Sequence, residues 1–166
     1  MKKLTLLALV TFFSFSAFAA EGGKKTDDTN KISYYVMRQF ESEFNGAKEI
    51  TWTVTENYEK AEFTVNEVKM AAFYDTNGEY IGHTEVVTYN SLPSAARKQI
   101  ARDYEGYHVK DLIRFRYADA SSTSLAHVTS MSVYDDEVYF LSLNKADKEA
   151  TLKISPSSTV ALLSKN

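Results

Sequence analysis

The sequence predicts an α+β fold in which two tandem units, each a helix followed by four strands, form one antiparallel sheet of about eight strands with both helices on one face. Two observations predict this class. Apolar residues recur at every fourth position in two separate stretches, and a regular alternation of apolar and polar residues follows each stretch. We expect the first unit to span residues 31–90 and the second unit residues 91–166.

The two predicted helices share a spacing that indicates an internal repeat. Each carries four apolar residues on one face and ends at a glycine. Thr29 or Asn30 is the expected N-cap of the first helix, and Pro93 stands at the first position of the second, where no N–H is needed. A shift of 60 residues relates the two patterns without a gap: Ile32, Val36, Phe40, Phe44 and Gly46 correspond to Leu92, Ala96, Ile100, Tyr104 and Gly106.

Period-two alternation predicts strands after each helix, and Asn77-Gly78 predicts a tight hairpin turn in the first unit. Counting elements matches the turn that begins at Asp75 with the later turn at residues 145–148, so the repeat requires a gap beyond the helices. The predicted strands lie near residues 50–55, 61–65, 68–75 and 80–89 in the first unit and 109–117, 125–134, 138–143 and 150–154 in the second, with a short edge strand near 160–163.

The N-terminal residues have the pattern of a secretory signal peptide. Two lysines precede an apolar run at residues 4–18, and Ala17-Phe18-Ala19 places small residues before a cleavage site. The run of about 15 residues is short for a membrane span, which needs about 20. We therefore expect an exported protein, periplasmic or secreted, with a signal peptide at residues 1–19 and a polar tether at residues 20–30.

Composition excludes several classes of protein. The chain has no cysteine, which excludes a disulfide scaffold, a thiolate zinc site and a cysteine nucleophile. Its net charge is −3, and −5 once residues 1–19 are removed, which disfavours a nucleic-acid partner. The mature chain is long enough to bury a core without covalent cross-links.

No pattern in the sequence predicts catalysis or a metal. His83, His108 and His127 lack the spacing of metal ligands, and residues 75–79 open like a calcium loop without the later ligands. There is no glycine-rich phosphate loop and no serine nucleophile motif. We expect a non-enzyme with no catalytic, cofactor-binding or metal-binding residues.

Tyrosine is the one compositional excess, with eleven in the chain. Tyrosine suits a surface that must be apolar in its body and polar at its tip, although it also packs well on any sheet. Parity along the second predicted strand places Tyr58 and Lys60 on the face away from the helices, whereas the side of Tyr74 is ambiguous. Tyr58, Lys60 and Tyr74 are the candidate partner-binding residues.

Several short motifs in a fixed order carry a resemblance to a known family. Together they resemble the bacterial PepSY-like family, which is similar in fold to the beta-lactamase inhibitory protein. The likeness covers roughly residues 31–155. The motifs are Phe44-Asn45-Gly46-Ala47, Trp52, the run from Ala71 to Glu79, Leu92-Pro93 and Tyr104-Glu105-Gly106-Tyr107.

The resemblance implies a small exported protein without a catalytic centre. PepSY domains are associated with inhibiting or chaperoning secreted peptidases, and the inhibitory protein grips its enzyme with the open face of its sheet. The units of that inhibitor carry disulfides and this chain has none, so no inhibitory contact transfers to a residue here.

The expected function is a non-enzymatic binding module that holds a protein or peptide partner on the open sheet face, with inhibition of a secreted or periplasmic hydrolase as its specific form. Two alternatives stay open at this point. One is a carrier of a small apolar ligand held between helices and sheet, and the other is an envelope hydrolase whose site forms only in three dimensions.

Overall fold

The computed structural model describes residues 27–118 and 136–166, so the predicted signal peptide and the predicted strand at 125–134 lie outside the described residues. Eight antiparallel strands form one open sheet in which spatial order follows chain order. This confirms the predicted fold class. The helices are α1 (Tyr34–Glu43) and α2 (Ser94–Asp103), and the strands are β1 (Lys48–Val54), β2 (Glu59–Val65), β3 (Val68–Tyr74), β4 (Tyr80–Val86), β5 (His108–Tyr117), β6 (Glu137–Lys145), β7 (Lys148–Ile154) and β8 (Val160–Lys165).

Each helix is preceded by a short 3-10 helix, and this shifts its start. The cap of α1 is Ser33, whose Oγ accepts a hydrogen bond from the Val36 N–H at 3.2 Å, and not Thr29 or Asn30 as the sequence predicts. The latter two residues belong to a 3-10 turn. Pro93 occupies the cap of α2 instead of its first position. Neither helix of the described chain has the length and hydropathy needed to cross a membrane.

Both helices cover the same face of the sheet, and each has a separate core beneath it. Helix α1 packs on β1 to β4 through a core rich in aromatic rings, and α2 packs on β5 to β8 through a mainly aliphatic core. The first core contains Ile32, Val36, Phe40, Phe44, Trp52, Ala61, Phe63, Ala72 and Tyr74, and the second contains Leu92, Ala96, Ile100, Leu112, Tyr139, Leu141, Leu143, Ala150, Leu152 and Ile154.

The first described residues are bound to the edge of β1. The Asp27 carboxylate accepts a hydrogen bond from the Trp52 N–H at 3.2 Å, and the Asp28 carboxylate accepts one from the Val54 N–H at 3.1 Å. The Asp28 N–H donates to the Trp52 carbonyl at 3.0 Å. Residues 27–30 are therefore not part of a free tether, which corrects the sequence-based expectation for that stretch.

Equivalent residues of the two units are 60 positions apart up to β1 and β5, and 80 positions apart from β2 and β6 onward. Trp52 pairs with Ala61, and its equivalent Leu112 pairs with Leu141. Asp75 therefore corresponds to Ser155 and not to the turn at residues 145–148, where element counting placed it. The hydrogen bonds agree, because the Asp75 N–H donates to the Glu79 carbonyl at 2.9 Å and the Ser155 N–H donates to the Thr159 carbonyl at 3.0 Å.

The change of shift locates a 20-residue insertion in the β5–β6 connection of the second unit. Strand β1 ends at Val54, which corresponds to Arg114, whereas β5 continues through Phe115 and Arg116 to Tyr117. Strand β4 pairs along this extra length, since Gly82 faces Tyr117 across the ladder. The insertion thus supplies most of the backbone pairing that joins the two units.

Candidate binding face

The face of the sheet opposite the helices carries a third apolar cluster, located where the two units join. Its floor is buried, and half-buried apolar side chains surround that floor. We call this cluster the central seam. It consists of the floor residues Ala71, Phe73, Phe115 and Val138 and the surrounding residues Tyr58, Ile81, Tyr117 and Phe140.

Four aromatic rings of the central seam form a continuous row across the junction. The ring centroids of Tyr58 and Phe73 are 5.9 Å apart, and those of Phe73 and Phe115 are 6.0 Å apart. Phe115 meets Tyr117 edge to face at 4.8 Å. Distances and tilts in this range are favourable for aromatic pairs. The row therefore links the first unit to the part of β5 that extends beyond the length of β1.

Gly82 makes this row possible. It lies on β4 between Phe73 on one side and Tyr117 on the other, with a φ of +148°. A Cβ at this position would come within 2.9 Å of the Phe115 ring and would collide with the Arg116 carbonyl oxygen. Only glycine lets the Phe115 ring lie across β4.

The reverse side of the same junction is charged. It lies on the helix-side face of strands β4 to β6, and it carries two glutamates and two arginines. Arg114 lies 2.6 Å from Glu85 and 3.5 Å from Glu137, and Arg116 lies 3.4 Å and 3.5 Å from the same two carboxylates. The polarity of the sheet is thus inverted at the junction, because the apolar side chains there occupy the face without helices.

His83 lies next to this charged group and is held by its neighbours. The Tyr80 hydroxyl is 2.6 Å from His83 Nδ1, and the Phe44 ring packs edge to face on the imidazole at 5.5 Å. Burial lowers the pKa of His83, and the charges of Arg116 and Arg114 lower it further against the opposing effect of Glu85. The side chain is therefore neutral at neutral pH and packs as part of the first unit.

The described residues provide no group of three or more histidine, aspartate, glutamate or cysteine side chains that could hold a metal ion. His108 is exposed at the start of β5, and His127 lies outside the described residues. The turn at residues 75–79 is held by its own hydrogen bonds, because the Asp75 carboxylate accepts from the N–H groups of Asn77 and Glu79, both at 2.8 Å.

Two of the three predicted binding residues lie on the face with the central seam. Tyr58 belongs to the seam, and burial followed by the nearby charge of Glu62 raises the pKa of its hydroxyl. Lys60 lies beside it and forms an ion pair with Glu62 at 3.4 Å. The parity argument therefore places both residues correctly on the sheet, and their role in binding stays a prediction.

Tyr74 is on the other side, which corrects its selection as a surface residue. It is 0% exposed and packs in the first core, with ring centroids 6.0 Å from Trp52 and 5.5 Å from Tyr80. Burial, and to a lesser extent the charge of Glu43, raises the pKa of its hydroxyl. Tyr74 offers no surface to a partner and contributes to stability instead.

The sequence analysis missed most of the central seam. A usable signal was present, because Ile113, Phe115 and Tyr117 alternate with Arg114 and Arg116. Alternation alone could not assign the faces, since helix-covered faces elsewhere in the sheet are the apolar ones. The missed residues are Ala71, Phe73, Ile81, Phe115, Tyr117, Val138 and Phe140.

Comparison with solved structures identifies the same fold in proteins of Bacteroides. A BLIP-like protein from Bacteroides fragilis matches with a TM-score of 0.59 and 15% identity over 81% of this chain and 84% of its own. A DUF2874 family protein from Bacteroides uniformis matches with a TM-score of 0.62 and 13% identity over 81% of this chain and 88% of its own. A predicted periplasmic protein from Bacteroides eggerthii matches with a TM-score of 0.62 and 12% identity over 81% of this chain and 87% of its own.

These likenesses confirm the expected resemblance to BLIP-like proteins at the level of fold. No family model matches the chain, and no curated protein matches it. The identities of 12–15% carry the architecture but no residue-level assignment.

Proposed function

We propose that the chain is an exported, non-enzymatic binding module that holds a protein or peptide partner on the sheet face with the central seam. The observation that carries this proposal is the row of aromatic rings on the face without helices. Its outer members, Tyr58 and Tyr117, are half-buried at one end of the sheet and present both ring surface and a hydroxyl group. Tyrosine is among the residues most enriched in protein interfaces.

The surroundings of the central seam have the composition of an interface rim. Thr51 and Thr53 share its face on β1, as their pairing with Glu62 and Lys60 requires. On the other flank, Ser142 pairs with Thr151 on the same face. An apolar centre with a polar rim is the usual anatomy of a protein interface.

Two further lines support the proposal. The pattern of residues 1–19 is that of a signal peptide, and one structural neighbour is a predicted periplasmic protein. Another neighbour is named BLIP-like, which favours inhibition of a secreted or periplasmic hydrolase as the form that binding takes.

Site-specific photocrosslinking in envelope extracts of the source cells tests the proposal. A photoreactive phenylalanine analogue replaces Tyr58, and a matched variant carries it at Lys98, which is exposed on α2 at the opposite face. We expect a discrete cross-linked adduct from position 58 and none from position 98. The adduct from position 58 should also disappear when Phe140 is changed to alanine in the same chain.

Two outcomes contradict the proposal. One is equal labelling from both positions, and the other is labelling from position 58 that survives Phe140→Ala in a variant shown by circular dichroism to be folded. Either result means that the seam does not select the partner.

A further inference from the structure

We propose that the partner segment bound at the central seam is basic, with an apolar side chain on the aromatic rings and lysine or arginine side chains at the adjacent end of the sheet. This inference rests on the proposed function, because it specifies the occupant of the same face. It is carried by charge complementarity.

The seam opens at the end of the sheet where the odd-numbered strands finish. In an antiparallel sheet that follows chain order, the β1–β2 turn, the β3–β4 turn and the start of β6 all lie at this end. Tyr58 and Tyr117 lie there as well. Four carboxylates accompany them: Glu56, Asp75, Glu79 and Asp136.

Within the described part of the chain, none of these four carboxylates forms an ion pair with a lysine or arginine. The basic groups nearest in the fold are already engaged, since Lys60 pairs with Glu62 and Arg116 lies between Glu85 and Glu137. A cationic partner would neutralise the charge of these carboxylates.

The opposite end of the sheet lacks this imbalance. Its β2–β3 and β6–β7 turns are flanked by charges of both signs. The pairing of Lys110 with Glu149 at 2.8 Å shows that acids there have cationic neighbours. The uncompensated negative charge is thus specific to the end at which the seam opens. The mixed set at the other end comprises Lys48, Glu49, Glu67, Lys69, Lys145, Asp147, Lys148 and Glu149.

The arrangement favours an extended chain over a single cation. The four carboxylates are distributed over two turns and the start of β6, and no three possible ligands within the described chain converge on one point. Several separated positive charges with an apolar group between them match this layout. A basic polypeptide segment provides both.

Three synthetic peptides test the inference directly. They share one length and one central tryptophan and differ only in carrying lysine, glutamine or glutamate at the same flanking positions, and binding is measured by fluorescence anisotropy. We expect the lysine peptide to bind about tenfold more tightly than the glutamine peptide at low ionic strength, with the glutamate peptide weakest. The preference should shrink as salt is added. Equal affinities for the three peptides would overturn the inference.

Charge-reversal variants provide the matched control. Glu56→Lys with Glu79→Lys changes two exposed carboxylates beside the seam, and Glu105→Lys with Asp147→Lys makes the same change in charge at the other end of the sheet. Only the first pair should remove the preference for the lysine peptide. The same loss in both pairs would mean that net charge alone acts, and the inference would then fail.

Tyr58→Ala separates this inference from the proposed function. If the alanine variant weakens all three peptides equally while the charge reversals change nothing, the seam binds peptides without a preference for basic ones, and only this inference fails. If Tyr58→Ala leaves all affinities unchanged, the seam is not the binding face and both proposals fail together.

Discussion

The two units have the same plan but fill the space beneath their helices differently. In the first unit, Phe40 of α1 and Trp52 of β1 extend over alanines on β2 and β3, with the Phe40 and Trp52 rings 5.3 Å apart. In the second unit, leucines replace those alanines, and smaller side chains stand where the rings were. The exchanged positions are Phe40, Trp52, Ala61 and Ala72 in the first unit and Ile100, Leu112, Leu141 and Leu152 in the second.

This difference teaches that the fold constrains the total volume between helix and sheet and leaves its distribution free. A core tolerates a redistribution of volume when large and small residues change together, whereas a single change leaves a void or an overlap. The two cores are therefore alternative packing solutions for one backbone, and residues cannot be exchanged between them one at a time.

The second difference between the units is the 20-residue insertion in the β5–β6 connection, and it completes the candidate site. Phe115, Tyr117 and Val138 all lie in or beside the inserted stretch, and each contributes to the central seam. Arg116 and Glu137 come from the same stretch and contribute to the charged reverse side. The part that is not common to both units thus contributes three of the eight residues of the surface proposed for binding.

The largest effect is expected from Gly82→Ala, which tests whether the junction depends on the insertion. The new Cβ would collide with backbone of β5 and press on the Phe115 ring, at a φ of +148° that L side chains rarely adopt. We expect a loss of about 4 kcal/mol in the free energy of unfolding, measured by urea denaturation.

Gly46→Ala is the matched control for this change. Gly46 also has a positive φ, +84°, but no atom of the described residues lies within 4 Å of the added Cβ. Its cost should be about 1 kcal/mol, from backbone strain alone. Similar losses in the two variants would mean that contact across the junction is unimportant.

The packing difference predicts that reciprocal substitutions at equivalent positions destabilise the protein for opposite reasons, one through a cavity and the other through overlap. Leu141→Ala gives the second unit the alanine of the first and should cost about 3 kcal/mol through a cavity, because Leu141 is fully buried. Ala61→Leu makes the reciprocal change and should cost about 2 kcal/mol through overlap with the rings above it. Calorimetry or urea denaturation measures both, and a neutral result for either would show that the cores are interchangeable after all.

The smallest effect concerns the edge of the first unit, where two carboxylates accept the hydrogen bonds that β1 would otherwise donate to a neighbouring strand. Hydrogen bonds from the Thr29 side chain and the Trp52 N–H lower the pKa of Asp27, and Lys31 and the Val54 N–H lower that of Asp28. Because the folded-state pKa values lie below the ordinary value of 3.8, this stabilisation is present above that pH and is lost as the pH falls through the folded-state values.

Hydrogen exchange measures this edge directly. Asp27→Ala with Asp28→Ala should reduce the protection of the Trp52 and Val54 amides at neutral pH, and the native chain should lose the same protection in acid. Asp147→Ala, in an exposed turn, should change neither amide. Unaltered protection in the double variant would show that the carboxylates do not hold the edge.

The helices and most of the strands could be predicted because their signals are local. Four-residue spacing fixed the faces of both helices, and Asn77-Gly78 indicated the hairpin between β3 and β4. The side of Tyr74 could not be predicted, since β3 reads Met70-Ala71-Ala72-Phe73-Tyr74 and both of its faces pack against apolar clusters. A strand with two buried faces has no parity signal.

The junction was beyond sequence analysis for a different reason. Glu85, Arg114 and Glu137 come from three strands that are far apart in the chain, so their pairing depends on register and not on local pattern. The gap in the repeat was expected, but it was misplaced because the predicted strand at 125–134, outside the described residues, was counted among the four strands of the second unit. Without the correct register, the aromatic row could not be assembled from its parts.

The order of the strands has a consequence for how the chain folds. Every strand pairs with the strand next to it in sequence, and β1 and β8 at the two ends never have to meet. In such a meander each pairing closes only the connection between two neighbouring strands, and a shorter loop costs less entropy to close. When the chain is released from its N-terminus onward, the first core can form before the second unit has emerged. The later strands then pair with the edge of a sheet that is already formed.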